Sequence, residues 1–202
     1  DSIILFAFIS VFTLWGARSI LPDSMKHLMT NQIIWYVVGF MLIYIVMTVG
    51  NTYIYRISWF LYVLGIVLLF GLFFFGVSIN DAKCWYEIKG IGTIQPSEFM
   101  KIILIIVNSS MISKFNEEYP NPSIKEEFVF LIKVLFVVFI PSILTFMQPD
   151  TGVVLIYLLI TFVMLFISGI RYRWFILVFG TLFLFVGCVL GIYFISQDLF
   201  IK

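Results

Sequence analysis

Long apolar stretches separated by short polar segments dominate this chain. A helix needs roughly 20 mostly apolar residues to cross about 30 Å of hydrocarbon. Seven stretches reach or approach that length: about Ile3–Ile20, Ile33–Val49, Ser58–Val77, Pro96–Ile112, Phe128–Met147, Gly152–Ile170 and Phe175–Ile195. Since lipid offers no partner to free backbone N–H and C=O groups, each stretch is expected to be a helix or a strand of a closed barrel.

The residue pattern within the stretches favours helices. Barrel strands alternate apolar and polar residues over about ten positions, whereas a run such as IVLLFGLFFFGV at 66–77 does not alternate. The sequence therefore predicts an all-α integral membrane protein, a bundle of about seven transmembrane helices that forms one domain over residues 1–202. Pro141, inside the fifth stretch, is expected to kink that helix and to free a backbone carbonyl.

Polar segments predict how the helices connect. Asn51–Ile57 and Arg171–Trp174 are predicted to be tight basic turns, and Asn80–Gln95 a longer loop that holds Trp85. Ser113–Glu127 carries several charges and two prolines, so we expect it to lie outside the bilayer. The first stretch lacks a basic leading segment and a small-residue cleavage site, which favours a spanning helix over a signal peptide.

Composition strengthens the membrane assignment and excludes several kinds of site. Of the 202 residues, 62% are hydrophobic and 11% are charged, against about 25% charged residues in a typical soluble domain. A net charge of +1 without a basic stripe argues against nucleic-acid binding. Cys84 and Cys188 belong to no metal-spacing motif, and a single histidine makes no zinc site by itself, so no metal site is predicted.

The distribution of Lys and Arg predicts the orientation, because these residues collect in short cytoplasmic loops. If the connections alternate between the two sides, one side holds Arg56, Lys114, Lys125, Lys133, Arg171 and Arg173. The other side holds Arg18, Lys26, Lys83, Lys89 and Lys202. The first set is larger, which favours a cytoplasmic N-terminus and outward loops after the first, third, fifth and seventh helices.

A first polar motif opens the fourth stretch: Gln95, Pro96, Ser97, Glu98 and Lys101. Proline suits the first turn of a helix, and a carboxylate is favoured near the positive end of the helix dipole. Glu98 and Lys101 are three residues apart and share a face. A capping box with a local ion pair at the membrane edge is one interpretation. The functional alternative is that the pair lines a polar cavity.

A second polar motif joins the fifth and sixth stretches: Gln148, Pro149, Asp150 and Gly152. These residue types make a tight turn for conformational reasons alone, and Asp150 fits as the N-cap of the sixth helix. However, both motifs carry Gln-Pro followed by a carboxylate, and the predicted orientation puts both on the outward face. That coincidence favours a shared function.

In these two motifs the chain resembles the SEDS family (shape, elongation, division and sporulation; the RodA, FtsW and SpoVE proteins). The family shows an outward loop with a tryptophan that leads into Gln-Pro-Ser-Glu and a lysine three residues later. Here Trp85 precedes Gln95–Glu98 and Lys101. The second family signature, Gln-Pro-Asp-Leu-Gly-Thr, is similar to residues 148–153, and a proline upstream of it matches Pro141.

The resemblance spans nearly the whole chain and implies a peptidoglycan glycosyltransferase of the bacterial cytoplasmic membrane. Such an enzyme polymerises lipid II, the undecaprenyl-linked precursor, at the outer face, beside a class B penicillin-binding protein transpeptidase. Family members have about ten helices, so these seven are expected to be the N-terminal part of a longer protein. No cofactor is indicated, and a need of the full-length enzyme for a divalent cation stays open, as does the subfamily.

The resemblance also implies roles for individual residues. A catalytic aspartate in a large outward loop beyond the seventh helix would deprotonate an acceptor sugar hydroxyl. Nothing in this sequence matches it, since Asp198 lacks the surrounding His-Thr-Asp type sequence; this segment alone is therefore expected to be inactive. Glu98 and Lys101 would shape a polar cavity, and Asp150 would brace its outer rim.

Two other classes of function compete with polymerisation. A transporter or flippase of the same lipid-linked precursor would favour inverted repeats and charges at the bilayer midplane. Here the charges cluster at the outer ends, and no repeat is visible. A non-catalytic scaffold that recruits a transpeptidase is the third possibility.

Overall fold

The computed structural model describes residues 2–17, 28–79, 82–88 and 92–200. Its helices are α1 (Ser2–Ala17), α2 (Leu28–Val49), α3 (Asn51–Phe75), α4 (Pro96–Glu118), α5 (Ile124–Phe146), α6 (Thr151–Ile167) and α7 (Arg173–Phe200). A small antiparallel sheet of β1 (Val77–Ile79), β2 (Ala82–Ile88) and β3 (Gly92–Ile94) stands between α3 and α4 in the chain. The predicted helical bundle is confirmed, with the sheet as an addition.

Several helices suit a membrane. Among the described residues, Thr30–Val49, Asn51–Phe75 and Ile124–Phe146 are long and apolar enough to cross one. Large apolar side chains on them face outward, such as Met47 (78% exposed) and Phe136 (63% exposed). Contiguous apolar surface of this kind is unfavourable in water and favourable in lipid.

Residues 1–54 and residues 55–202 form two compact units. In the first unit α1 and α2 pack together. The side-chain amide of Gln32 donates a hydrogen bond of 3.3 Å to the hydroxyl of Ser10. A polar pair of this kind between two apolar helices adds directional contact where lipid gives no hydrophobic drive.

The second unit is built around α4, which contacts α5, α6 and β2. Its inner face holds the fully buried Met100, Leu104 and Val107, which belong to one core with Tyr157 of α6. A Cβ atom placed on Gly65 would lie 2.7 Å from Met100 Sδ, so α3 passes close to α4 at this point. The helix with the first polar motif is therefore enclosed by its neighbours.

The segment predicted to be a loop at Asn80–Gln95 contains most of the sheet. Trp85 in β2 pairs with Val77 in β1, and Tyr86 pairs with Ile94 in β3. Strand pairing satisfies backbone hydrogen bonds within the segment. Aromatic residues such as these favour strands, although the segment is too short and too polar to be predicted as a spanning helix.

The prediction of a tight turn at Asn51–Ile57 is wrong, because these residues form the first two turns of α3. A single residue, Gly50, separates α2 from α3 and has a φ of 80°. Glycine adopts positive φ without a Cβ clash, so one residue is enough to end one helix and start the next.

The predicted connection at Ser113–Glu127 is also mostly helical. Only residues 119–123 lie between α4 and α5. Ser123 caps α5 in a reciprocal box: the Glu126 N–H donates to Ser123 Oγ at 3.3 Å, and the Ser123 N–H donates to Glu126 Oε2 at 2.6 Å. Charged residues here extend the helices past the apolar stretches, since helix formation does not require apolar side chains.

The last turn and helix differ slightly from the prediction. The turn predicted at Arg171–Trp174 overlaps the start of α7, which begins at Arg173 and continues to Phe200 instead of ending at Ile195. Gly169, with a φ of 90°, lies in the connection between α6 and α7.

Candidate functional site

The two polar motifs meet in the structure. The side-chain amide of Gln95 donates a hydrogen bond of 2.7 Å to Asp150 Oδ2, across 55 residues of sequence. The bond joins the residue before α4 to the residue before α6. Both residues are half-buried, so the amide–carboxylate pair is partly shielded from solvent, where hydrogen bonds to charged groups are stronger than neutral ones.

The backbone around Gln95 explains why its side chain reaches away from its own helix. Gln95 is extended, with φ −104° and ψ 107°, and Pro96 follows at the first helical position as predicted. The Gln95 side chain makes no capping bond to α4. The predicted capping box is therefore wrong at this helix: proline removes one amide that needs a cap, and the glutamine amide pairs with Asp150 instead.

Asp150 has both carboxylate oxygens engaged. Oδ1 accepts a hydrogen bond of 3.2 Å from the backbone N–H of Val153, and Oδ2 accepts the bond from Gln95. The first bond confirms Asp150 as the N-cap of α6. A carboxylate held at both oxygens is suited to fixing the start of a helix.

Gln148 ties the second motif to two further elements. It is only 2% exposed. Its side-chain amide donates a hydrogen bond of 2.8 Å to the carbonyl oxygen of Leu69 in α3. Its backbone carbonyl oxygen accepts a hydrogen bond of 2.9 Å from the thiol of Cys84 in β2. Cys84 thus belongs to the motif region, although the sequence assigned it no role. Its only sequence signal is its position beside Trp85.

Ser97 links the first motif to α6. The hydroxyl of Tyr157 donates a hydrogen bond of 2.9 Å to the carbonyl oxygen of Ser97. Near these bonds, the buried atoms Ser97 Oγ, Thr145 Oγ1 and Gln148 Oε1 have no hydrogen-bond partner among the described residues. Buried polar atoms are nearly always paired in folded proteins, so these atoms are exceptions among the described residues.

Glu98 and Lys101 form the ion pair that their spacing predicts. Lys101 Nζ lies 2.7 Å from Glu98 Oε2, and the side chains are 21% and 53% exposed respectively. Such a pair on a helix surface contributes only about 0.3–0.5 kcal/mol. The prediction that the pair lines a polar cavity stays a prediction.

Trp85, Pro149 and Gly152 make smaller contributions to the geometry. Trp85 is half-buried in β2, next to Cys84, and Pro149 is exposed. A Cβ atom on Gly152 would meet nothing within 4 Å. The structure therefore bonds Gln95 directly to Asp150, whereas Gln148 and Ser97 bond to Leu69, Cys84 and Tyr157 on neighbouring elements, and it gives Gly152 no packing role.

The opposite end of the unit holds a polar cluster that the sequence analysis missed. Glu127 in α5 is 1% exposed. Trp174 Nε1 donates to Glu127 Oε2 at 2.8 Å, and Arg171 Nε lies 3.5 Å from Glu127 Oε1. Local spacing did not identify Glu127 as part of a cluster, because its partners Arg171 and Trp174 are more than 40 residues away in the sequence. Its geometry indicates a structural clamp between α5 and the start of α7.

Electrostatics and ligand chemistry limit what the site can hold. Burial and the negative charge of Asp150 raise the pKa of the Cys84 thiol, which stays protonated at neutral pH. In the part of the chain that the structure describes, no three His, Cys, Asp or Glu side chains form a group suited to a metal ion.

Curated proteins similar to this chain are named as peptidoglycan glycosyltransferases or probable ones. The peptidoglycan glycosyltransferase MrdB of Helicobacter pylori is 32% identical over 152 residues, which cover 75% of this chain and 39% of the relative. A probable peptidoglycan glycosyltransferase FtsW of Wigglesworthia glossinidia brevipalpis is 37% identical over 126 residues, covering 61% of this chain and 31% of the relative. The matched parts thus span well under half the length of these relatives.

Solved structures show the same fold. A chain from a peptidoglycan synthase complex superposes with a TM-score of 0.68 at 21% identity, covering 92% of this chain and 53% of that chain. The rod shape determining protein RodA of Thermus thermophilus gives a TM-score of 0.66 at 22% identity, with coverages of 92% and 59%. The family model described as "Cell cycle protein", for FtsW, RodA and SpoVE, matches residues 2–199. With that match, and with both motifs held together as one site, this chain belongs to the FtsW/RodA/SpoVE family.

Proposed function

We propose that this chain is part of a peptidoglycan glycosyltransferase that polymerises lipid II at the outer face of the bacterial cytoplasmic membrane. The observation that carries the proposal is the 2.7 Å bond between Gln95 and Asp150, which joins the two family motifs into one site. The names of the curated relatives support the activity. The predicted loop charges support a cytoplasmic N-terminus, which places both motifs at the outer end.

Within this proposal the residues of the chain bind and position the substrate. Asp150 braces the rim, because both of its oxygens are already engaged. Glu98 and Lys101 shape the polar cavity as an ion pair, in which the lysine side chain is the more buried of the two. The general base expected from the family resemblance has no match in this sequence. Deprotonation of the acceptor is therefore assigned to no residue between 1 and 202.

A groove between α5, α6 and α7 suits the polyisoprenoid tail of the substrate. It has a volume of about 670 Å³ and apolar walls that include Phe139, Leu158 and Val178. It runs from Trp174 to Phe146, two residues before the second motif. A tail lying in this groove would hold its polar head group beside Gln148 and Asp150.

The proposed protein partner is a transpeptidase, namely a class B penicillin-binding protein. Polymerised glycan must be crosslinked to make a wall, and one structural relative comes from a complex that coordinates polymerisation and crosslinking. The chain of that relative shares the fold of this one, which supports a comparable assembly for the parent protein.

The test uses the full-length parent protein, purified in detergent with fluorescent lipid II, and gel analysis of the glycan chains formed. We expect Gln95→Ala and Asp150→Asn to lower the polymerisation rate roughly tenfold to a hundredfold, as small misplacements of binding groups do. Glu117→Gln is the matched control, since Glu117 is exposed and bonds only locally to Ser113. Rates equal to the control in both site variants would overturn the assigned role of the motif pair.

Detergent also separates polymerisation from transport, because a micelle has no two sides. Glycan chains formed in detergent support the glycosyltransferase. A parent protein that forms no glycan in detergent, yet moves lipid II across reconstituted vesicles, would establish the flippase alternative instead.

A further inference from the structure

A second groove lies at the end of residues 55–202 opposite the two family motifs. It has a volume of about 510 Å³ and is formed by α3, α4 and α5. Three lysines line it, Lys114 from α4 and Lys125 and Lys133 from α5, together with Trp59 from α3. Nothing in the motif site involves these residues, since α4 begins at the motif and ends at this groove.

The lysines of this groove outnumber its carboxylates. The ion pairs among the described residues are Lys101 with Glu98 and Arg171 with Glu127, and neither includes a groove lysine. Two carboxylates also line the groove, Glu118 and Glu126. Glu126 is already engaged as the cap of α5 through Ser123.

Glu118 is engaged as well, with the neighbouring Tyr119 at the end of α4. A hydrogen bond to the Glu118 carboxylate, and the negative charge of that carboxylate, raise the pKa of the Tyr119 hydroxyl. The groove therefore presents three exposed ammonium groups beside two carboxylates, whose hydrogen-bond partners are neutral. The remaining excess of one positive charge favours an anion.

Depth in the membrane distinguishes this groove from an ordinary charged surface. Lys133 lies five residues after Phe128, where the apolar stretch of α5 begins, which is about 7.5 Å along the helix axis. A lysine at that depth in an apolar helix is costly unless its long stem carries the charge towards the polar layer or a ligand. The groove walls beside it are apolar, with Met111, Val129 and Phe130.

We propose that this groove binds one anionic glycerophospholipid of the leaflet at this end of the protein. Its phosphate group lies among Lys114, Lys125 and Lys133, and its acyl chains follow the apolar wall formed by Val129 and Phe130. Trp59 lies at the level of the head groups, where tryptophan side chains are enriched. A soluble anion would use only the cationic rim, whereas a lipid uses the rim and the apolar wall together.

The predicted orientation agrees with this proposal, and the three groove lysines are half of the six residues in the cytoplasmic set. This end of the bundle carries the larger set of loop lysines and arginines, which places it in the cytoplasmic leaflet. That leaflet holds the anionic lipids that basic segments of membrane proteins attract.

The test uses the whole chain, delipidated in a neutral detergent and given equal amounts of phosphatidylglycerol and phosphatidylcholine. Native mass spectrometry then counts the lipid retained. We expect one phosphatidylglycerol to be retained in clear preference to phosphatidylcholine. Lys125→Gln with Lys133→Gln should weaken its binding about fivefold for each lysine, the effect of about 1 kcal/mol per cation at an anionic membrane surface.

Two matched variants show whether the preference for phosphatidylglycerol depends on charge in this groove or on the overall charge of the chain. Arg56→Gln with Arg173→Gln removes the same charge from exposed positions that do not line the groove, and should leave the preference unchanged. Lys125→Arg with Lys133→Arg keeps the charge and should retain it. If the glutamine variant does not fold, the unaltered chain and the arginine variant still decide the question.

The proposal is overturned if the unaltered chain retains both lipids equally. It is overturned equally if the arginine-to-glutamine control loses as much preference as the lysine variant. Thermal stabilisation by inorganic phosphate to the same extent as by phosphatidylglycerol would show a small-anion site, and would also reject the lipid.

Discussion

The hydroxyl of Tyr62 in α3 donates a hydrogen bond of 2.8 Å to the carbonyl oxygen of Val137 in α5. Val137 is four residues before Pro141, and proline has no N–H to donate to that carbonyl. The expected free carbonyl is therefore confirmed, and a tyrosine from another helix satisfies it. In lipid, where no water competes, such an interhelical bond replaces the missing helical one.

Tyr62→Phe should destabilise the protein by about 1 kcal/mol, because it leaves a buried carbonyl without a donor. Thermal unfolding in detergent measures the change. Tyr53→Phe, on the same helix at an exposed position, is the control and should have little effect. Adding Pro141→Ala restores a backbone donor, so the cost of Tyr62→Phe should shrink in that background; an unchanged cost would contradict the account.

Arg171→Gln should destabilise the clamp around Glu127 by about 2 kcal/mol. Removing one partner of a fully buried ion pair costs about 3–5 kcal/mol, and the expected loss is smaller because the Arg171 side chain is 39% exposed. Arg173→Gln, two residues away and exposed, should change stability by less than about 0.5 kcal/mol. Equal melting temperatures for the two variants would show that Glu127 does not depend on Arg171.

Cys84 should react slowly with maleimide in the folded protein. Its thiol is 3% exposed and donates to the carbonyl of Gln148, and a raised pKa leaves little of the reactive thiolate. In a Cys188→Ser background, we expect labelling at pH 7.5 to be at least roughly tenfold slower than in denaturant. Labelling at the denatured rate would mean that β2 does not cover this thiol.

The same thiol should make stability depend on alkaline pH. A raised folded pKa means that the folded protein keeps a proton that the unfolded chain releases. Stability from this group is therefore present below the thiol pKa of the unfolded chain, about 8.5, and falls as pH rises above it. The decline between about pH 8 and 10 should be smaller in Cys84→Ser, when both are followed by thermal unfolding.

Gly65 should tolerate alanine far better than valine. The Cβ of alanine would meet the flexible Met100 side chain at 2.7 Å and Ile103 Cδ1 at 3.1 Å. The methionine can move, whereas the additional methyl groups of valine would push α3 away from α4, since small residues allow close helix packing in membranes. Gly180, with open space around it, is the control for valine. Size-exclusion profiles and melting in detergent distinguish these outcomes.

Local features of the site could be predicted from the sequence because they depend on residues within one turn. The Asp150 cap, Pro96 at the start of α4 and the Glu98–Lys101 pair all follow from spacing along a single helix. The bonds from Gln95 to Asp150 and from Gln148 to Leu69 span 55 and 79 residues. No spacing rule within a single sequence reaches that far.

The amino-acid sequence is enough to identify a helical membrane protein, because lipid forces the backbone to form its hydrogen bonds within each span, so that length and hydropathy distinguish the spans. It also indicated the family, through two short motifs. Which side chains face one another does not follow from local spacing. That choice depends on the rotation and depth of each helix and on the register of the strands, which arise from packing between segments far apart in the chain. Through that packing, Cys84 joined the motif site, Tyr62 satisfied the carbonyl of Val137, and three lysines came to line one groove.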